Sequence, residues 1–260
     1  DELADDLNEN YAHNNVYELN QQRHLKATEP LLELIEFSLK MEKETSGYYQ
    51  PLIGRLSHLW KDALENGSVV SENMIKFELG RMETSSIKIE GLDVYILGDA
   101  YLDLGGIAKG YATEQAKKYL EEIGCKNYLL NAGNSNIVLG SKCGQNFKVG
   151  LSTAFTSEYY HILELQNIAI GTSSIREQKY LIDGNWYSHL INPMTGYPAE
   201  YYETFSILGD DSGILDAYST ACFCMELENA KEFLDKRGLS FVCSKDNKLY
   251  YQSLEVEKYE

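Results

Sequence analysis

The chain has 260 residues, 43% hydrophobic and 24% charged, with 20 Gly and 4 Pro; this balance excludes a disordered chain or a peptide-sized module and fits one large domain or two closely joined lobes. With 40 Asp and Glu against 23 Lys and Arg, the net charge is −17 and no local basic patch offsets it, which excludes nucleic acid and anionic lipid as partners. So acidic a protein needs a bound cation if it is to handle a polyanionic nucleotide.

Leu3 to about Asn20 is polar with scattered apolar residues, and Pro30 then opens an amphipathic helix through Leu31, Leu32, Leu34, Ile35, Phe37 and Leu39. The stretch from Gly47 to Ile53 breaks it, the spacing of Leu56, Leu59, Trp60, Ala63 and Leu64 predicts another helix, and helical turns follow from Glu72 to Leu79. Ser86 to Leu97 reads as two short strands about Gly91-Leu92. Tyr101 to Leu104 reads as a strand, Gly105-Gly106 as a tight turn, and Ile107 to Ile123 as a helix burying Ala108, Tyr111, Ala112, Ala116, Tyr119 and Leu120.

Strands are expected at Tyr128–Leu130 and Ile137–Gly140, around a turn at Asn131–Asn136, and again at Phe147–Leu151, His161–Leu165 and Ile168–Gly171. A helix from about Ile214 to Met225, continued or restarted at Asn229–Lys236, precedes strands at Ser240–Cys243 and Leu249–Tyr251. Consecutive antiparallel strands mixed with helices make the expected class α+β. Cys125, Cys143, Cys222, Cys224 and Cys243 are odd in number and lack CxxC spacing, so they read as buried free thiols rather than a disulfide framework or zinc site. The apolar runs are too short to span a membrane. The chain opens on Asp1 rather than Met, so a leader, an anchor or an N-terminal strand could precede it.

Three places could carry chemistry. The turn Asp103-Leu104-Gly105-Gly106 leads into a helix at Ala108-Lys109-Gly110, a geometry that offers backbone N–H groups, and here a lysine, to a phosphate; it reads equally as a plain tight turn. Asp216 and Thr220 lie four apart in an apolar helix, so carboxylate and hydroxyl share one face. Such hard oxygens suit Mg²⁺; the alternative is that Asp216 caps the helix while Ser219 and Thr220 bond back to the preceding turn. His189 ends a strand ahead of a loop punctuated by Pro193, Gly196 and Pro198, where it could take a proton from an attacking hydroxyl or be an ordinary hydrogen-bonded histidine.

Taken together and in order, four segments are recognisable: Leu-Gly-Gly-Ile-Ala-Lys-Gly-Tyr-Ala at 104–112, Asn-Ala-Gly at 131–133, His-Leu-Ile-Asn-Pro-Met-Thr-Gly-Tyr-Pro at 189–198 and Asp-Ala-Tyr-Ser-Thr-Ala at 216–221. With Tyr11, Leu19-Asn20, the stretch Gly47–Ile53 and Trp60 upstream, the chain resembles the FAD:protein FMN transferases, the ApbE family, over nearly its whole length. The resemblance implies a single ApbE-like domain over 1–260, two closely packed α+β lobes with a nucleotide cleft between them, and Mg²⁺ at the FAD pyrophosphate. By position, Asp216, Thr220 and the carbonyl of Ala108 would hold the metal. Tyr11 would lie on the isoalloxazine ring, and Gly105, Gly106, Lys109, Asn131, Gly133, Thr172, Ser173 and Thr195 would contact FAD.

The implied reaction is attack by a Ser or Thr hydroxyl of an acceptor protein on the FMN phosphorus with release of AMP, Asp216 serving through the metal and His189 as base. The acceptor would carry a flavinylation-type motif and belong to a membrane redox complex, and the protein would work outside the cytoplasm, lipid-anchored or free. Where the family has Asn-Ala-Gly-Gly-Asp this chain has Asn134-Ser135 in the last two places, and where it has Thr-Ser-Gly-Asp this chain has Ser174-Ile175. A carboxylate and a conformationally free position are thereby lost beside the nucleotide. Other readings are an FAD pyrophosphatase giving FMN and AMP, a flavin-binding protein without turnover, and a cell-surface adhesion module.

Overall fold

The structure, a computed structural model, describes residues 15–156, 158–176 and 178–253. Tyr11 lies outside them. The chain divides into two compact units: residues up to Ala108 with Tyr180–Pro198 form the first, and Lys109–Lys179 with the chain from Ala199 form the second.

In chain order the first unit contributes α1 (Asn15–Gln22), β1 (His24–Lys26), α2 (Glu29–Glu44), α3 (Gly54–Glu65), α4 (Glu72–Glu83), β2 (Ser86–Glu90) and β3 (Asp93–Leu97). The second opens with α5 (Ala108–Glu122), then β4 (Leu129–Ala132), β5 (Asn136–Leu139), β6 (Phe147–Ser152), β7 (Tyr159–Leu165) and β8 (Ile168–Ser174). The hairpin β9 (Lys179–Ile182) and β10 (Asn185–Ser188) takes the chain back to the first unit, and β11 (Thr204–Gly209), α6 (Ser212–Phe223), α7 (Leu227–Asp235), β12 (Ser240–Lys245) and β13 (Lys248–Gln252) complete the second.

In the first unit, Pro30 lies in the first turn of α2, as the sequence predicts, and Thr28 caps the helix by accepting the Leu31 N–H at 3.4 Å. Strands β1, β3 and β2 form an antiparallel sheet. Asn20, 4% exposed, does the work of a strand edge: its side chain donates to the Leu102 carbonyl at 2.9 Å and accepts the Leu102 N–H at 2.7 Å. Tyr101 makes one isolated bridge to Ile53, so the strand expected at Tyr101–Leu104 is replaced by this side-chain pairing. The core beneath gathers Leu56, Trp60 and Leu64 of α3, Ile75 of α4, Ile182 and Ile191.

The second unit is built on a six-stranded antiparallel sheet of order β13-β12-β11-β8-β5-β4. The β6–β7 hairpin packs Val149, Leu151 and Leu163 against Leu139, Ile170, Leu208 and Val242 on one face. Strand alternation turns Gly171, Ser173, Phe205 and Ile207 to the other face, where Gly171 meets the Leu215 backbone of α6. Nearly every residue of α6 is buried, so this helix forms an inner layer. These mixed, mainly antiparallel elements are the expected α+β class.

Helix α5 does not bury the stripe its apolar residues suggest. Ala112, Ala116 and Tyr119 are exposed, while Gly110, Thr113 and Glu114 are buried. The reason is close docking on the start of α6: a Cβ on Gly110 would come within 2.4 Å of both the Asp216 Cβ and the Ser212 carbonyl, and Glu114 accepts the Ser212 N–H at 3.0 Å while pairing with Lys117. Small size and backbone hydrogen bonds, rather than hydrophobicity, select this face.

Candidate functional site

Asp216 is 4% exposed in the middle of α6. It is not a cap: Asp211 caps the helix, accepting the Ile214 N–H at 3.0 Å. The Asp216 Oδ2 accepts the Gly110 N–H at 2.8 Å, a contact open to a residue without Cβ at 110. The Asn136 side chain, 0% exposed at the start of β5, interacts with the carboxylate and favours its charged form. Burial pushes the Asp216 pKa up from its ordinary value, while Asn136, the Gly110 N–H and the positive charge of exposed Lys109 pull it down.

Hydroxyls collect one turn further along. Ser219 Oγ donates to the Asp216 carbonyl at 3.0 Å, realising part of the back-bonding alternative. Ser173 Oγ reaches Ser219 Oγ at 3.0 Å and Thr220 Oγ1 at 3.3 Å. The second unit thus brings Asp216, Asn136, Ser173, Ser219 and Thr220 together as oxygen donors. A buried carboxylate held by neutral donors is costly unless a cation completes it, and hard oxygens alone suit a small divalent cation that keeps waters and bridges phosphates. Among the described residues no three His, Cys, Asp or Glu side chains converge, so a cation here would lean on hydroxyl, amide and ligand oxygens around one carboxylate.

Other predicted residues are dispersed. Thr172 neighbours Ser173 in β8 but faces the opposite side of the sheet, 2.9 Å from Ser206 Oγ. Asn131 closes the β4–β5 turn on itself, accepting the Asn134 N–H at 2.9 Å and donating to Asn134 Oδ1 at 3.0 Å. Gly133 and Asn134 both hold positive φ, 62° and 60°; asparagine tolerates this conformation, so the glycine missing at 134 does not cost the turn its shape. Ile175 is buried at 7% exposure and its N–H donates to the Glu203 carbonyl at 3.1 Å, so it serves the core.

The remaining predicted residues, Gly105, Gly106, Ala108, His189 and Thr195, belong to the first unit. The Gly105 N–H donates to Asp103 Oδ1 at 2.8 Å, so it is engaged rather than free as the glycine turn suggests, because the aspartate two residues earlier folds back on it. His189 is half-buried directly after β10. Its loop is fixed by Asn192, whose carbonyl accepts the Gly196 N–H at 2.7 Å, and by Trp60 Nε1 donating to the Gly196 carbonyl at 2.7 Å. Exposed Thr195 accepts the Tyr197 N–H at 3.3 Å. Asn136 and Gly110 are the contributors the sequence reading passed over as site residues; a polar amide opening the apolar run Ile137-Val138-Leu139 was the signal for the first.

Comparison with known proteins identifies the family. The chain is 24% identical over 224 residues to an FAD:protein FMN transferase of Escherichia coli K12, covering 82% of this chain and 64% of that protein. It is 25% identical to one of Treponema pallidum, covering 77% and 61%. It therefore spans a little under two thirds of the length of these curated relatives. The crystal structure of an ApbE protein from Thermotoga maritima superposes with a TM-score of 0.83 at 24% identity, covering 93% of this chain and 82% of that one. The flavin transferase ApbE from Vibrio cholerae gives 0.80 at 21%, covering 97% and 84%. These likenesses show a shared fold, and a family model matches residues 1–243: the chain belongs to the ApbE family.

Proposed function

We propose that this protein transfers the FMN moiety of FAD to a Ser or Thr hydroxyl of an acceptor protein, releasing AMP, with Mg²⁺ held at Asp216. The observation that carries the reading is a buried carboxylate met by the Gly110 N–H, with the linked Ser173, Ser219 and Thr220 hydroxyls one helical turn further along. The names of the curated relatives support the substrate and the transfer.

Asp216, Thr220 and the carbonyl of Ala108 would hold the metal. Bound there, Mg²⁺ supplies charge neutralisation on the phosphate oxygens. The chain's own groups do the positioning: the Gly110 N–H and the Asn136 amide fix the carboxylate, and Ser173 fixes Thr220 from β8. His189 serves as base, taking the acceptor hydroxyl proton as its oxygen bonds to phosphorus and the phosphoanhydride bond to AMP breaks. In this reading the acceptor carries a flavinylation-type Ser/Thr motif and belongs to a membrane redox complex, and the protein works outside the cytoplasm.

Incubation with FAD, Mg²⁺ and an acceptor domain bearing that motif tests the reading. AMP release with fluorescence that stays on the denatured acceptor supports transfer. AMP without it means hydrolysis, and bound FAD with neither product leaves a flavin-binding protein.

A further inference from the structure

Asn136 opens β5 opposite Gly171 of β8 and, like Gly171, faces α6. Its side chain is 0% exposed and interacts with the Asp216 carboxylate. An ionised carboxylate only accepts, so the group turned to Asp216 is the Nδ2 amide, which also lies 3.4 Å from Ser135 Oγ. This fixes the other end of the side chain. Among the described residues, Asn136 Oδ1 is buried and has no hydrogen-bond partner.

A buried acceptor left unmade is costly, and a leucine of similar shape would avoid that cost. The Asp216 carboxylate has accepting capacity beyond the Gly110 N–H and the Asn136 amide. We infer that Asn136 is a further member of the cation site: Nδ2 holds the Asp216 carboxylate in place, and Oδ1 gives a neutral oxygen to the divalent cation or to one of its waters. This inference rests on Asp216 as the cation anchor. Hard divalent cations accept amide oxygens alongside carboxylates, and a neutral ligand adds coordination without bringing a second negative charge against Asp216.

The test is Mn²⁺ binding to the full chain, read as loss of the free-ion EPR signal up to millimolar Mn²⁺, with the cation-free melting temperature measured on the same samples. Wild type should bind, and Asp216→Ala should bind at least tenfold more weakly. Asn136→Leu should also weaken binding about tenfold or more while still melting cooperatively, which shows that it folds. Asn136→Gln, which keeps a neutral amide with both its donor and its oxygen, should bind more tightly than Asn136→Leu.

If Asn136→Leu binds Mn²⁺ as tightly as wild type while Asp216→Ala does not, the role of Asn136 is refuted and the Asp216 site stands. If Asp216→Ala binds like wild type, or wild type does not bind, the anchor itself fails and this inference with it. Should the leucine variant not fold, Asn136→Ser decides on the same criterion of Mn²⁺ affinity.

Discussion

The two faces of the six-stranded sheet are built on opposite terms. Toward the β6–β7 hairpin, Leu139, Ile170, Leu208 and Val242 meet Val149, Leu151 and Leu163, and aliphatic bulk holds the layers together. Toward α6, Phe205 and Ile207 fill part of the face, but a Cβ on Gly171 would lie 2.6 Å from the Leu215 carbonyl carbon, so around Gly171 backbone approaches backbone. Close approach buries polar atoms, which then need partners; Asp216, Asn136 and the Ser173, Ser219 and Thr220 hydroxyls gather there. The side-chain oxygen donors proposed for the cation all lie on the α6 face.

That division can be broken from either side. Leu163→Ala on the hairpin side should cost about 2–5 kcal/mol in urea unfolding and leave turnover per folded molecule unchanged; a matching loss of turnover would mean the faces are not independent. Gly171→Ala should cost about 1–3 kcal/mol by overpacking against Leu215 and, because it displaces α6, should lower turnover as well. The hairpin side has its own polar patch, where Tyr160 Oη lies 3.0 Å from Thr204 Oγ1 and Thr204 lies 2.7 Å from Ser244 Oγ. Tyr160→Phe should cost only about 1 kcal/mol there with normal turnover.

The smallest expected effect is a change in pH dependence. Burial raises the Asp216 pKa above its ordinary 3.8 in the folded protein, so the folded state takes up this proton more readily than the unfolded chain. Without a cation, its stabilising contribution is full below the ordinary value and is lost as pH rises through the raised one. The melting temperature of wild type relative to Asp216→Asn should therefore fall over that interval. A difference independent of pH would show that the carboxylate is not raised.

Much of this was legible from residue patterns, and the exceptions have physical causes. Pro30 marks the start of α2 because a proline in the first turn acts locally. Strand β11 was missed although Thr204, Phe205, Ser206 and Ile207 alternate polar and apolar residues; both faces of the strand are covered, so its polar residues are buried rather than marking a solvent side. The β9–β10 hairpin was missed despite Asp183-Gly184, whose φ values of 50° and 80° suit a tight hairpin turn.

In the site, Asp216 and Thr220 were readable because helical spacing puts them on one face. Asn136 depends on register between strands far apart in sequence, which no local pattern encodes. Adjacent Thr172 and Ser173 were assigned one ligand by the resemblance, although strand alternation sends them to opposite faces.

The measurement that bears most directly on Asp216 as cation anchor is Mg²⁺-dependent AMP release from FAD by wild type and by Asp216→Ala, with folding verified by circular dichroism. The expected result is release by wild type that EDTA stops and added Mg²⁺ restores, and a rate lower by ~10³ or more in the variant, since a lost metal anchor removes several kcal/mol of charge stabilisation. A folded Asp216→Ala protein that releases AMP at the wild-type rate would contradict the account.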